Sequence, residues 1–146
     1  TTNGTAALHA CRGAREIVIG ALVNRAAAAA AVRRLAGPEA DVHLVCAGTD
    51  GMISVEDVLG AGAILDAALA AGRDDACDAA AVESLAFFRR MAAQGDVSAA
   101  LVTEFRRSPG GANLVALGME ADLPTAAAID TLEVVPRLDA ASGSLI

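Results

Sequence analysis

The side chains best suited to chemistry in this sequence are concentrated in residues 46–57. This stretch contains two glycines and two hydroxyl residues followed by adjacent carboxylates, and its candidate site residues are Gly48, Thr49, Asp50, Glu56 and Asp57. Glycines allow backbone N–H groups to come close to a ligand. Carboxylate oxygens suit Mg²⁺ much better than Zn²⁺. The stretch therefore predicts a site for Mg²⁺ and a small anion such as a phosphate ester, in which the metal polarises the phosphoryl oxygens.

The flanking residues predict the elements that hold this stretch. Residues 42–46 form a short apolar run with the character of a buried strand. Ser54 stands at the N-cap of a helix, and Glu56 and Asp57 fall in its first turn. A purely structural role for the two carboxylates is the alternative, because the helix dipole stabilises acidic residues there by about 0.3–1 kcal/mol each.

Two further segments could contribute to an anion site. Residues 1–5 have the composition of a turn that leads into a short helix ending near Gly13, and the candidate anion-binding residues are Asn3, Gly4 and Thr5. An ordinary exposed turn is the alternative. Asn24 follows a predicted strand at 16–20 and is expected to cap a helix at 25–36. Its position would also direct it towards the same edge as the central stretch.

Strands and helices alternate along the chain. Predicted strands at 16–20, 42–46 and 131–136 are separated by helices, which favours a three-layer α/β/α fold with a mostly parallel sheet. A turn near Ser142 suggests a C-terminal edge hairpin. Loops at the carboxyl ends of parallel strands meet at one edge, so the candidate residues are expected to share a crevice.

Capping residues and apolar spacing predict further helices. They run from Ser54 to Gly72, from Asp74-Asp75 to Gly95, from Asp96 to Arg107, from Ser108-Pro109 to about Leu117, and briefly around Pro124.

Composition limits the class of protein. The 146 residues fit one α/β domain, 1–146. A net charge of −7 with 2% aromatic residues argues against a nucleic-acid partner, and no apolar run reaches the roughly 18 residues that a membrane span needs. The three cysteines are far apart, which predicts buried free thiols and a reducing, cytoplasmic location. Alanine-rich helices make a homodimer plausible. No Walker A loop or Gly-x-Ser-x-Gly elbow is present.

Taken together, these motifs resemble the 2-phosphosulfolactate phosphatases in order and spacing along the whole chain. The matching segments are Thr1-Thr2-Asn3-Gly4-Thr5, Leu22-Val23-Asn24, Cys46-Ala47-Gly48-Thr49-Asp50-Gly51, Ser54-Val55-Glu56-Asp57, Gly60-Ala61-Gly62-Ala63-Ile64, Ser108-Pro109, Asn113-Leu114, Leu117-Gly118, Asp122-Leu123, Ile129-Asp130 and Val134-Val135-Pro136. The resemblance implies an α/β phosphoric monoester hydrolase that uses Mg²⁺ to release phosphate from 2-phospho-3-sulfolactate, a step towards coenzyme M.

The chain also departs from that family in two ways. Members have an upstream region whose strand bears an Asp-Val-Leu-Arg-Ala-Thr-like motif, so we expect this chain to be the C-terminal portion of a longer phosphatase that could be inactive alone. Members often carry basic residues where this chain has Gly110 and Ala112. Another small phosphorylated acid is therefore an alternative substrate.

The sequence leads to two hypotheses. In the first, Glu56 and Asp57 bind the metal, Asp50 positions water, and the substrate contacts are Asn3, Gly4, Thr5, Asn24, Gly48 and Thr49. In the second, the chain is a non-catalytic domain that binds small anions or supports assembly.

Overall fold

The computed structural model describes residues 2–37, 40–72, 76–139 and 142–146. In that part of the chain it contains seven α-helices: α1 (Thr2–Ala10), α2 (Arg25–Ala36), α3 (Val55–Ala70), α4 (Ala79–Ala92), α5 (Val97–Arg107), α6 (Pro109–Ala116) and α7 (Asp122–Ala126). One turn of 3-10 helix, Leu22–Asn24, precedes α2. The predictions made for Thr1, Pro38, Asp74 and Asp75 lie outside the described residues. None of the described helices combines the length and the apolar character needed to span a membrane.

Side-chain caps fix where four of these helices begin. Ser54, Asp96 and Ser108 each accept a hydrogen bond from the backbone N–H three residues further along, at distances of 3.4, 3.0 and 3.0 Å. Asp78 caps α4 in the same way at 2.7 Å. Pro109 occupies the first turn of α6, where its missing N–H costs no hydrogen bond. The predicted starts of α3, α5 and α6 are confirmed.

The core lies where α3, α5 and α7 meet. Leu59, Leu101 and Leu123, one from each of these helices, are fully buried. Phe88 and Phe105 join the same cluster and are each 2% exposed. The predicted apolar stripe of α5 through Leu101 and Phe105 is confirmed.

Small residues bring α3 close to its neighbours. α3 packs most extensively against α4 and then against α2, which buries Ala28, Ala29 and Ala31. Gly62 faces Ser84 so closely that a Cβ atom at position 62 would lie within 3.0 Å of the Ser84 carbonyl oxygen. The alanine-rich composition therefore produces thin, closely spaced helical layers.

The predicted three-layer α/β/α fold with a mostly parallel sheet is wrong. Of the predicted C-terminal edge hairpin, residues 137–139 do pair with residues 144–146, but no sheet lies beside them in the described ranges. Across the described ranges no strand forms. The β-pairing there consists of isolated antiparallel bridges, which join Val18 to Arg137, Thr49 to Met52 and Leu138 to Leu145.

The expected strands do not form a sheet, because the pairing between them is limited to a short contact. The Ile19 N–H donates to the Pro136 carbonyl oxygen at 2.8 Å, and the Leu138 N–H donates to the Ile17 carbonyl oxygen at 3.0 Å. Residues 41–47 have no regular secondary structure, and they make no backbone–backbone hydrogen bond with the described residues. Residues 131–136 contact the turn before α2 instead, and the N–H of Leu132 donates to the Val23 carbonyl oxygen at 2.8 Å. A strand becomes stable only when a second strand satisfies its N–H and C=O groups. Apolar spacing therefore did not reveal whether each segment would find a second strand to pair with.

The opening segment is helical and is not the predicted turn. Because α1 begins at Thr2, Asn3, Gly4 and Thr5 lie in its first turn. The prediction of buried thiols is also wrong, since Cys46 is exposed while Cys11 and Cys77 are partly exposed.

Asp130 caps α2 from 104 residues away in the sequence. Its Oδ1 accepts a hydrogen bond from the Ala26 N–H at 2.8 Å, and its Oδ2 pairs with the Arg25 Nε at 2.9 Å. Asn24 stands at the N-cap position, but its side chain makes no capping bond. The predicted bounds of α2 are confirmed, whereas the prediction that the Asn24 side chain caps it is wrong.

We expect Asp130→Ala to lower the free energy of unfolding by about 1–2 kcal/mol, because it removes a helix cap and places alanine at a φ of 51°. Asp130→Asn is the matched control. Asparagine tolerates positive φ and keeps an oxygen that can accept the Ala26 N–H. Asp130→Asn should therefore lower the free energy of unfolding by less than about 1 kcal/mol. Urea denaturation measures both values. Equal losses would assign the whole effect to the ion pair with Arg25.

Candidate active site

The central glycine-rich stretch folds into a tight hairpin turn. The N–H of Thr49 donates to the Met52 carbonyl oxygen at 3.0 Å, and the N–H of Met52 donates to the Thr49 carbonyl oxygen at 2.9 Å. Asp50 and Gly51 between them have φ angles of 52° and 78°. An Asp-Gly pair with positive φ at both residues is typical of a type I′ turn. Asp50 and Thr49 are therefore exposed at the tip of the turn.

Asp57 ties this turn to the first turn of α3. Its Oδ2 accepts a hydrogen bond from the Gly48 N–H at 2.7 Å. Gly48 has a φ of 68°, and a Cβ atom there would lie 2.6 Å from the Met52 carbonyl oxygen. Only glycine fits this position without strain. The glycine that was expected to cradle an anion thus binds a carboxylate of the same chain.

Glu56 joins α3 to the start of α6. Its Oε2 accepts a hydrogen bond from Ser54 Oγ at 2.7 Å, and its Oε1 accepts one from Ser108 Oγ. Partial burial raises the pKa of Glu56, but hydrogen bonds from Ser108, Ser54, its own N–H and the Gly111 N–H together hold the pKa below its ordinary value. Glu56 is therefore fixed as a carboxylate by two serines that lie 54 residues apart.

Because the pKa of Glu56 is lowered in the folded chain, the ionised side chain stabilises the fold above the unfolded pKa of about 4.3. That contribution should disappear as the pH falls through the folded pKa. We expect the stability difference between the natural chain and Glu56→Gln to be largest near neutral pH and to shrink in acid. Urea denaturation across this range, in a metal chelator, measures the difference. Glu83→Gln on an exposed part of α4 is the control, with an expected change below about 0.5 kcal/mol. A difference that is constant with pH would contradict this assignment.

Asp57 lies where two cavities approach each other. Cavity one, of about 490 Å³, is lined by α1, residues 14–20, the end of α2 and residues 40–47, together with Asp57. Cavity two, of about 320 Å³, lies above α2 and α3 and is lined by both Glu56 and Asp57. Val42, His43 and Val45 border both cavities. Asp57 is thus the carboxylate that can reach a ligand in either one.

Cavity one brings the opening helix and Asp57 together. Gly4, in the first turn of α1, lines it with Asp57. Arg15 also lines it, and its Nη2 donates to the Leu35 carbonyl oxygen at 2.6 Å. Arg15 was not predicted as a site residue, because no local motif indicated that it would line the same cavity as Asp57.

Asn24 is a buried structural residue in this fold, with 5% of its surface exposed. Its Oδ1 accepts a hydrogen bond from the Ala21 N–H at 2.7 Å, and its Nδ2 donates to the Val134 carbonyl oxygen at 2.8 Å. Asn24 lines neither cavity. An anion contact by Asn24 remains a prediction, as does water positioning by Asp50, which also lies outside both cavities.

Residues 1–141 match the sequence model for 2-phosphosulpholactate phosphatase. The chain belongs to the 2-phosphosulpholactate phosphatase family. A protein of Deinococcus radiodurans named probable 2-phosphosulfolactate phosphatase is 40% identical over 139 residues, which cover 94% of this chain and 54% of that protein.

A second phosphatase relative, from Symbiobacterium thermophilum and with the same name, is 37% identical over 136 residues and is matched over 93% of this chain and 54% of its own length. The chain therefore spans about half the length of the curated 2-phosphosulfolactate phosphatases that it matches.

The donor set can be tested against the Mg²⁺ that the family resemblance implies. Within the described ranges, no group of three or more His, Cys, Asp or Glu side chains could hold a metal ion. Mg²⁺ is usually bound through one or two carboxylates, with waters and substrate phosphate completing its shell. Asp57 Oδ2 accepts a hydrogen bond from the Gly48 N–H, whereas Asp57 Oδ1 accepts no hydrogen bond from the described residues. Asp57 therefore fits a Mg²⁺ ion whose remaining positions would be filled by water and by the phosphate of a bound substrate.

Ser108 is the partner that sequence reasoning missed for this phosphatase-family chain. It was expected only to cap α6, yet it is 4% exposed and also holds Glu56. Gly110 makes room for that contact, because a Cβ atom there would lie 2.8 Å from Glu56 Oε1. The two glycines after Ser-Pro were the available signal, since they indicated that something packs closely against the helix start.

Proposed function

We propose that this chain contributes to a Mg²⁺-dependent phosphatase that hydrolyses 2-phospho-3-sulfolactate to 3-sulfolactate and phosphate, a step towards coenzyme M. The observation that carries the proposal is the shared cavity one, in which Asp57 and Gly4 line the same space in a chain of this family. A carboxylate and a helix N-terminus in one cavity provide a metal ligand and a site that favours anions.

The proposed roles follow from the contacts. Asp57 would bind Mg²⁺, which supplies Lewis-acid polarisation of the phosphoryl group when it is bound. Glu56 would keep the first turn of α3 in place through its hydrogen bonds with Ser54 and Ser108. It would bind the metal only if one of these two hydrogen bonds were broken. The first turn of α1, with Asn3, Gly4 and Thr5, would approach the anion.

Arg15 is the proposed partner of the sulfonate. Its guanidinium carries a permanent positive charge on the wall of cavity one, and a planar guanidinium suits an anion with several oxygens. The basic residues expected in the Ser-Pro segment are absent from this chain, so another cation must perform that task.

Phosphate release tests the proposal. The chain alone, and the chain joined to the part of the Deinococcus radiodurans relative that it does not span, would be assayed on 2-phospho-3-sulfolactate with and without Mg²⁺. We expect Mg²⁺-dependent release from at least the joined protein, with lower kcat/KM on 2-phospholactate, which lacks the sulfonate. Equal turnover of both compounds would favour a different phosphorylated acid. Anion binding without Mg²⁺-dependent turnover in either protein would favour the non-catalytic alternative.

A further inference from the structure

Asp50 and Gly51, at the tip of the hairpin turn, form the only Asp-Gly pair in the sequence. We propose that this pair is a site of spontaneous modification, at which Asp50 isomerises to isoaspartate through a cyclic succinimide. The modification would open the turn and release the Gly48 N–H from Asp57. It needs no enzyme, metal or substrate, so it does not depend on the proposed phosphatase activity.

The reaction is an internal acyl transfer that uses only water. The Gly51 amide nitrogen attacks the protonated side-chain carboxyl of Asp50 and forms a bond to its Cγ. The carboxyl OH leaves with the amide proton as one molecule of water. A second water then opens the five-membered ring. Opening at Cγ restores aspartate, whereas opening at the main-chain carbonyl leaves Gly51 linked through Cγ and produces isoaspartate with a free α-carboxylate.

Both reacting groups are accessible at the tip of the turn. Asp50 and Gly51 are exposed, and the Asp50 carboxylate accepts no hydrogen bond from the described residues. The Gly51 N–H donates to no backbone carbonyl in that part of the chain, because the turn closes through Thr49 and Met52. A Cβ atom at Gly51 would meet nothing within 4 Å. No side chain hinders the attacking nitrogen, and glycine lets the local backbone rotate as the ring closes.

The other aspartates lack this combination. Each is followed in the sequence by a residue that carries a side chain. Asp78 and Asp96 accept helix-capping hydrogen bonds, and Asp130 holds the start of α2. Asn3-Gly4 is the comparable amide pair, but it lies in the first turn of α1. The helical ψ angle there opposes closure of a succinimide ring.

Isomerisation would disrupt the contact between the turn and α3. Isoaspartate adds one methylene group to the main chain, whereas the paired hydrogen bonds between Thr49 and Met52 require a normal two-residue loop. Gly48 follows this turn closely, since a Cβ atom there would lie 2.6 Å from the Met52 carbonyl oxygen. The Gly48 N–H would therefore lose its position 2.7 Å from Asp57 Oδ2.

Peptide mapping by mass spectrometry tests the proposal on the folded chain, incubated for several weeks in metal-free buffer. Isoaspartate is identified by its chromatographic shift and by fragmentation of the backbone at position 50. We expect a succinimide that is one water lighter, followed by isoaspartate of unchanged mass. Isomerisation at Asp50 should be at least about tenfold faster than at any other aspartate, because only Asp50 precedes a glycine.

Two matched variants separate the chemistry from the turn. Asp50→Gly removes the carboxyl but keeps a Gly-Gly pair that favours the same type I′ turn, so it should show no modification at position 50. Asp50→Asn should form the same succinimide by losing ammonia, and should yield both aspartate and isoaspartate at position 50. Thermal unfolding of each variant before incubation confirms that the fold is retained.

Amide hydrogen exchange at Gly48 tests the structural consequence. The isomerised chain is separated by chromatography and compared with the fresh chain and with Asp50→Gly. We expect the Gly48 N–H to exchange about tenfold or more faster in the isomerised chain alone. Three results would overturn the proposal: isomerisation at Asp50 no faster than at the other aspartates, isomerisation that occurs only when the chain is unfolded in urea, or unchanged Gly48 exchange in the isomerised chain.

Discussion

Replacing Gly62 by alanine is expected to lower the free energy of unfolding by about 2–3 kcal/mol. The new Cβ atom would lie closer than 3.0 Å to the carbonyl oxygen and carbon of Ser84. These are backbone atoms, which cannot rotate away as a flexible side chain would. α3 and α4 would have to separate, and their contact is the most extensive one between described helices. The loss of packing should spread along both helices.

Gly60→Ala is the matched control for this prediction. Gly60 lies two residues away on the same helix, and a Cβ atom there meets nothing within 4 Å. Alanine is the better helix former by about 0.5–1 kcal/mol, so this variant should be neutral or more stable. Urea denaturation of both variants measures the difference. A similar loss from both would show that the approach of α3 to Ser84 does not limit stability.

The second large effect concerns activity. On the proposed function, Asp57→Asn in the protein joined to the uncovered part of the Deinococcus radiodurans relative should reduce Mg²⁺-dependent phosphate release from 2-phospho-3-sulfolactate by about 100-fold, which equals about 2.7 kcal/mol in activation free energy. Asparagine keeps an oxygen that can accept the Gly48 hydrogen bond, so the hairpin turn should persist. What the variant removes is the negative charge on cavity one, which a divalent metal requires.

Asp96→Asn provides the comparison. Asp96 caps α5, and asparagine is an equally good cap, so both activity and stability should be retained. Steady-state kinetics over a range of Mg²⁺ concentrations and thermal unfolding are measured on the same preparations. If Asp57→Asn kept full turnover and lost only thermal stability, Asp57 would serve the fold of the turn alone.

Local signals in the sequence were sufficient for the helices. The starts of three helices are set by Ser54, Asp96 and Ser108, each of which accepts a hydrogen bond from an N–H only three residues further along. Those predicted starts are confirmed. The strands were predicted wrongly, because apolar spacing describes one segment while a sheet depends on pairing between distant ones. The bounds of α2 were correct, although its cap comes from Asp130, which no local pattern could indicate.

The candidate site was predictable in part for the same reason. The adjacent carboxylates were selected from their position in a first helical turn, but their different partners were not visible in the sequence. Glu56 is held by Ser108, which lies 52 residues away, whereas Asp57 is held by the local turn. The approach of Gly4 to Asp57 was expected from the edge of a parallel sheet. The two residues do line one cavity, but α1 and the hairpin turn bring them there without a sheet.

Cys46, beside the hairpin turn, has a consequence for handling and labelling this protein. Partial burial and the nearby Asp57 carboxylate raise the pKa of its thiol. The thiolate is the reactive form, so at neutral pH this sulfur should react slowly with alkylating reagents and oxidants even though the residue is exposed. A divalent cation beside Asp57 would offset the negative charge and favour the thiolate. The rate of iodoacetamide labelling at Cys46 should then increase when a divalent cation binds beside Asp57, so this rate would report cation binding at that carboxylate.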